Sequence, residues 1–456
     1  MAWAKGGVAL AALVIAAAAG APASAQSAGS PQDTAALEAR IAQLEAALVE
    51  LRAEMAASRA QPAAAAASPA PDVIRLEGRP TSPPAPPAPP ANGFRMGDQT
   101  LTFGGFIKAD VLASRYDGGD PANGDALRDF YLPGAIPVGG ADEGTALDFN
   151  ARQTRLWLAA QGRFGERTVG GRVEMDFQVL PGAGDQRTTS PANLSLRRAF
   201  VTIDGWLIGQ EWTNFQNLSV LPESADYVGV SEGTVFARQA QIRWTRGPLS
   251  ISVENPETTV TPLGGGARIV ADDNALPDLT ARWTRTGPWG EVSIAGLARS
   301  LAYESPVAAI DATATGWGVS AAARLKVGAR DDVRAMLTVG EGIGRYVGLN
   351  FSNDAVLTAT GDLETIGITA GFLAYRRVWS DAWRSNLVWS AQQVDNTLSL
   401  TGASANDWAQ SLRANLIWTP VRPVDIGLEL MRGERELQSG ASGELTRLQG
   451  FVKYGF

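Results

Sequence analysis

The stretch LQGFVKYGF, Leu448–Phe456, changes character at every residue. Leu448, Gly450, Val452, Tyr454 and Phe456 share one parity; Gln449, Phe451, Lys453 and Gly455 share the other. In an extended strand, successive side chains point to opposite faces. One face is therefore apolar and ends in two aromatics, and the other carries Gln and Lys. The same alternation recurs upstream. In LTARWTRT, Leu279, Ala281 and Trp283 share a face opposite Arg282. In RQAQIRW, Ala240, Ile242 and Trp244 lie opposite Gln239, Gln241 and Arg243. In GWGVSAAARLKV, Val319, Ala321, Ala323, Leu325 and Val327 lie opposite Arg324 and Lys326.

Sixteen such segments follow residue 94: 101–115, 149–162, 168–180, 195–204, 205–213, 236–245, 248–254, 278–286, 288–302, 313–327, 331–341, 362–377, 381–395, 407–419, 422–434 and 445–456. Their connections alternate in length. Short turns such as Gly165-Glu166, Asp204-Gly205 and Gly247-Pro248 follow the even segments, and longer loops follow the odd ones. Short turns on one side and long loops on the other mark an outer-membrane barrel. The expected fold is all-β: a 16-stranded transmembrane antiparallel β-barrel over 94–456. An even strand number returns both ends to the periplasmic side, and closure leaves no unpaired edge in the bilayer. Trp157 and Ile417 break the parity of their segments.

The first 93 residues divide into three. Residues 1–25 read as a secretory signal, with Lys5 before an apolar core and Ala23-Ser24-Ala25 as cleavage site. Within 26–60, Leu37, Ile41, Leu44, Leu48, Leu51 and Met55 form an a/d seam, the mark of an N-terminal periplasmic coiled-coil helix. With about three heptads the helix is marginal alone and needs partners. A single amphipathic helix is the other reading of this seam. Residues 61–93 are a Pro/Ala-rich linker, stiff and extended where prolines crowd.

Cys and His are both absent, which removes thiol and imidazole catalysis and His- or Cys-based metal sites. A formal charge of -8 argues against nucleic-acid binding. No apolar run beyond the first twenty residues approaches the ~20 residues of a membrane helix. No covalent chemistry and no cofactor are implied. Carboxylates of the outer loops, among them Asp117, Asp142 and Asp273, read as solvated charge rather than as cation ligands.

Arg or Lys on the lipid face at mid-depth costs about 2–4 kcal/mol, so the basic residues inside apolar segments belong to the lumen. Arg155, Arg243, Arg282, Arg324, Lys326, Arg384, Arg413 and Lys453 are the pore-lining candidates. The loop after the fifth segment, 214–235, carries Glu223, Asp226 and Glu232 and no basic residue. Folded inward, it would set an acidic face against a basic wall. Left outside, the wall alone decides and favours anions.

The strings FGGFIKADVLASRYD (Phe103–Asp117), NARQTRLWL (Asn150–Leu158), RRAFVTIDGWLIGQEWTNF (Arg197–Phe215) and RQAQIRW (Arg238–Trp244) resemble the DcaP-like outer-membrane porins. That resemblance implies a homotrimer in the Gram-negative outer membrane, with a helical periplasmic extension. It also implies uptake of small anionic solutes such as dicarboxylates, with Arg155 and Arg243 among the inward basic positions. Tyr454 and Phe456 resemble the aromatic signal read by the outer-membrane assembly machinery. A phosphate- or oxyanion-selective porin is the neighbouring reading. Two readings come from other classes. A structural tether would have a closed barrel, and an outer-membrane enzyme would have to work without His.

Overall fold

The computed structural model describes residues 93–178 and 189–456. The expected signal segment, the coiled-coil seam from Leu37 to Met55 and nearly all of the linker lie outside these residues.

Sixteen antiparallel strands form one closed barrel among the described residues. They are β1 (Gln99–Tyr116), β2 (Thr145–Asn150 and Arg155–Phe164), β3 (Arg167–Asp176), β4 (Ser195–Ile203), β5 (Trp206–Trp212), β6 (Arg238–Arg246), β7 (Leu249–Glu254) and β8 (Asp278–Gly287). The second half is β9 (Gly290–Ser305), β10 (Ile310–Val327), β11 (Asp331–Glu341), β12 (Gly367–Val378), β13 (Trp383–Asp395), β14 (Asn406–Val421), β15 (Val424–Leu437) and β16 (Ser442–Gly455). Each strand pairs with its sequence neighbour, and β16 returns to β1 from Leu445↔Tyr116 to Gly455↔Phe106. Beyond that register Phe456 and Gly105 exchange two backbone hydrogen bonds of 3.1 Å. Below it, the short strand Gly93–Met96 pairs with the start of β1.

Local chemistry sets the short turns. Phe164 pairs with Arg167 and Arg246 with Leu249, so each turn has two central residues. The first of these is a glycine at positive φ, Gly165 (+62°) and Gly247 (+59°), as tight hairpins require.

Alternation along the strands gives the barrel two surfaces. Leu412 (54 %) and Leu387 (54 %) are exposed, whereas Arg413 (1 %) and Asn386 (2 %) next to them are buried inside. Leu448, Val452, Tyr454 and Phe456 face out, and Gln449 and Phe451 face in. An apolar band that runs round the whole circumference has no place on a water-soluble surface. It matches a lipid-facing one. No helix among the described residues is long and apolar enough to cross a membrane.

The strands depart from the expected segments at three places. The second segment breaks at 151–154, where Arg152 turns to pair with Asp129. The third ends at Asp176 rather than 180. The twelfth begins at Gly367, because Leu363–Thr365 joins a separate four-stranded sheet with Ala355–Leu357, Thr258–Thr261 and Ile269–Ala271. That sheet belongs to the long connections β7–β8 and β11–β12. Arg299 bolts it to the barrel, with Nε 3.1 Å from Asp278 and Nη1 2.7 Å from Asp354.

The largest apolar cluster lies within the barrel. Phe215, Val220, Val230 and Val235 of the β5–β6 connection pack against inward residues of β9–β13, among them Leu297, Met336, Phe372 and Val388. Burial of each such side chain is worth about 1.5–3 kcal/mol. The 213–237 segment therefore folds into the lumen. There the inner wall offers apolar surface that water would otherwise cover.

Candidate functional site

The inward segment is fastened on several sides of the barrel. Ala225 O accepts from Lys108 Nζ of β1 at 2.5 Å and from Gln449 Nε2 of β16 at 2.9 Å. Ala225 N donates to Glu429 of β15 at 3.0 Å. Asn217 Nδ2 donates to Ser293 Oγ of β9 at 2.8 Å, and Arg334 of β11 donates to Leu221 O. Val235 forms a bridge with Val347 of the β11–β12 connection.

Two of its three carboxylates are engaged in hydrogen bonds, and the third is buried. Glu223 accepts from Arg376 Nε and Arg384 Nε, both at 3.0 Å. Asp226 accepts the backbone N–H of Tyr131 at 2.8 Å and those of Val228 and Gly229 at 3.0 Å. Glu232 is fully buried, close to Arg413, Ser390 and Ser411. Burial raises its pKa, and the nearby Arg413 only partly offsets this.

The basic wall splits into two sets. Arg155 lies 3.5 Å from Asp176, Arg413 lies 3.7 Å from Glu429, and Lys453 lies 3.0 Å from Asp425. Arg384 is held between Glu223 and Asp425. Arg243, Arg282, Arg324 and Lys326 have no ion-pair partner among the described residues. Arg243 donates to Gln241 Oε1 at 2.9 Å and to Trp212 O, and Arg282 donates to Gln216 O. Arg324 and Lys326 line a cavity of about 550 Å³ beside the short turns. Five of that cavity's lining residues are basic (Arg324, Lys326, Arg330, Arg334, Arg376) and three acidic (Glu223, Asp331, Asp332). A neighbouring cavity of about 570 Å³ again has five basic residues, with Arg384, Arg422 and Lys453 added, against Glu223, Asp381 and Asp425.

Parity alone missed Arg197 and Arg198 on the opposite wall. The β3–β4 register shifts between Glu174 and Met175, because Glu174 pairs with Arg198 and Met175 with Leu196. Arg197 is the extra residue of a bulge, so the adjacent Arg197 and Arg198 both point inward. They meet Glu174, Asp176 and Glu211, together with Arg155 and Arg172. Tyr227 of the inward segment stands against this group, its ring centroid 5.2 Å from the Arg197 guanidinium and 6.0 Å from that of Arg155. The doubled arginine in SLRRAFV was the visible signal, because a strict alternation would place one of the pair in lipid. Trp157 and Ile417 are apolar residues that face inward with no bulge at either position. Trp157 lies under the Arg172 guanidinium, 4.5 Å from its ring centroid. Ile417 packs inside on Ala225 and Phe451.

No group of carboxylates that could hold a metal ion occurs among the described residues. Asp142 pairs with Arg115, Asp117 accepts from the Glu444 amide, and Asp273 accepts from that of Glu304.

The family model of the DcaP outer membrane protein matches residues 128–456. The chain belongs to that family. The outer membrane channel DcaP of Acinetobacter baumannii is 28 % identical, with a TM-score of 0.65 over 80 % of this chain and 99 % of that one. OmpT of Vibrio cholerae is 10 % identical (TM-score 0.47) over 80 % of this chain and all of that one. OmpF of Salmonella typhi, in complex with daunomycin, is 9 % identical (TM-score 0.47) over the same shares. No curated protein sequence matches the chain. Family membership and the closed 16-stranded barrel make this DcaP-family chain an outer-membrane porin, a channel rather than an enzyme by family and fold.

Proposed function

We propose that this porin is a passive diffusion channel that favours small anions, dicarboxylates among them. The carrying observation is that four inward cations stand outside ion pairs among the described residues, while the carboxylates of the inward segment are taken up or buried. Arg243, Arg282, Arg324 and Lys326 lack carboxylate partners among the described residues, whereas Glu223, Asp226 and Glu232 are paired, hydrogen-bonded or buried. The inward segment narrows the lumen and leaves the field of the wall in control. Solutes cross down their gradient; inward cations lower the barrier for an anion, and pore width sets the size limit.

An oxyanion-selective porin would need several unpaired basic residues at one height. The Arg155, Arg172, Arg197 and Arg198 group is instead interleaved with Glu174, Asp176 and Glu211, which favours the broader anion reading. The working unit is a homotrimer carrying periplasmic helices from 26–60, joined by the 61–93 linker after removal of residues 1–25. Tyr454 and Phe456 face lipid and present the aromatic signal to the assembly machinery.

The test is the reversal potential of purified protein in a planar bilayer under a KCl gradient. A chloride-directed sign supports the proposal. A potassium-directed sign overturns the anion preference. Folded protein without conductance would put the tether with a closed barrel in its place.

A further inference from the structure

A second basic site lies at the long-loop end of the barrel, among the long connections. It is a cavity of about 210 Å³ between the β7–β8, β11–β12 and β13–β14 connections and the end of β15. Arg268 and Arg435 line it with Asn353, Asn406, Ser404 and Gly266, and no Asp or Glu lines it.

Neutral acceptors hold both guanidiniums. Arg268 Nε donates to Asn353 Oδ1 at 2.5 Å and Nη2 to Asn350 O at 2.6 Å. Arg435 Nε donates to Asn406 Oδ1 at 2.7 Å and Nη1 to Ile136 O at 2.8 Å. Each arginine is thereby fixed, with one terminal nitrogen, Nη1 of Arg268 and Nη2 of Arg435, lacking a hydrogen-bond acceptor among the described residues. Neither has an ion-pair partner there. Their setting contrasts with that of the arginines that fasten the long connections elsewhere. Arg128 pairs with Asp148, Arg152 with Asp129, and Arg299 with both Asp278 and Asp354. Arg268 is exposed and Arg435 half-buried; a half-buried guanidinium is normally paired, because desolvation without a counter-ion is costly.

We infer that this cavity binds a small oxyanion, a carboxylate or a phosphate group bridging Arg268 and Arg435. Planar guanidiniums already locked in place suit that chemistry, since little side-chain freedom is lost on binding. The Ser404 hydroxyl is on hand for a remaining oxygen. The ligand would tie three connections together at the long-loop end. The site is tested without reading the selectivity of the pore: Arg268 belongs to the β7–β8 connection and Arg435 to the long-loop end of β15.

Hydrogen–deuterium exchange of the full-length protein in detergent, with sodium malonate or inorganic phosphate added, tests the inference without reading permeation. Expected is slower exchange at 262–268, 350–353 and 396–406, saturating with anion. In R268Q/R435Q the half-saturating concentration should rise about tenfold or more. Ser404→Glu, which leaves both arginines in place and brings in a carboxylate, should have the same effect. Heat-modifiable gel mobility reports whether each variant is folded. Protection by malonate alone assigns a carboxylate site, and protection by phosphate alone a phosphate site; either supports the inference. No protection by either anion, or equal protection in a folded R268Q/R435Q or Ser404→Glu protein, overturns it.

Discussion

The backbone of Gly233 rests on that of Gly371: a Cβ built on Gly233 would stand 2.2 Å from the Gly371 carbonyl oxygen. Ser390 Oγ would be 2.5 Å away. The inward segment thus touches β12 with no room for a side chain. Gly233→Ala must lift the segment or push the wall, at an overpacking cost of about 1–3 kcal/mol. Expected are a higher single-channel conductance and more open-channel noise than in the wild type. An unchanged current trace from Gly233→Ala would mean that this contact does not hold the segment.

Arg243 and Arg282 carry lumen charge without a carboxylate partner among the described residues. A unit charge about 4 Å from a permeating ion is worth ~1 kcal/mol in a water-like medium. Arg243→Ala and Arg282→Ala should each reduce the chloride-over-potassium permeability ratio several-fold, and the double variant should reduce it further. Raising the salt shortens the Debye length, from about 10 Å at 0.1 M to 3 Å at 1 M, so the wild-type preference should fade as salt rises. Reversal potentials at two ionic strengths check both.

Glu223 should act in the opposite direction. It neutralises Arg376 and Arg384 at the short-turn end. Glu223→Gln keeps a hydrogen-bonding group and releases those two cations, so the chloride preference should increase. A decrease would show that Glu223 does not screen the wall.

Acidity should tighten the inward segment through Glu232. The group is on the β5–β6 connection, and burial raises its pKa above the usual glutamate value. A carboxyl with a raised folded-state pKa contributes stability that is fully present below the unfolded pKa. That contribution is lost as pH rises through the folded value. Protection factors of the 228–236 amides, corrected for the intrinsic pH dependence of exchange, should therefore rise as pH falls, and Glu232→Gln should hold them high across the range. Similar pH profiles for wild type and variant would remove Glu232 as the cause.

The outer surface gives a stability test. Leu412→Arg places a cation in the lipid-facing band one residue from the native, inward Arg413. Urea titration of folding into vesicles should show a loss of about 2–4 kcal/mol.

The barrel was legible in the sequence because a strand repeats every two residues and lipid accepts only one of its faces. Each of the sixteen segments overlaps a strand, and the turn glycines mark short connections. The inward face was legible for the same reason: Arg282, Arg413 and Lys453 alternate with exposed apolar residues. Alternation could not give the Arg197 bulge, because a bulge adds one residue without changing composition. Nor could it separate the paired Arg155 and Arg384 from the unpaired Arg243 and Arg282. Pairing depends on which residues of distant strands share a height, and only barrel closure and strand register settle that. The place of 213–237 was decided by tertiary structure as well. Its apolar residues are unremarkable in sequence, and they find their partners only when Met336, Phe372 and Val388 from separate strands form one inner surface.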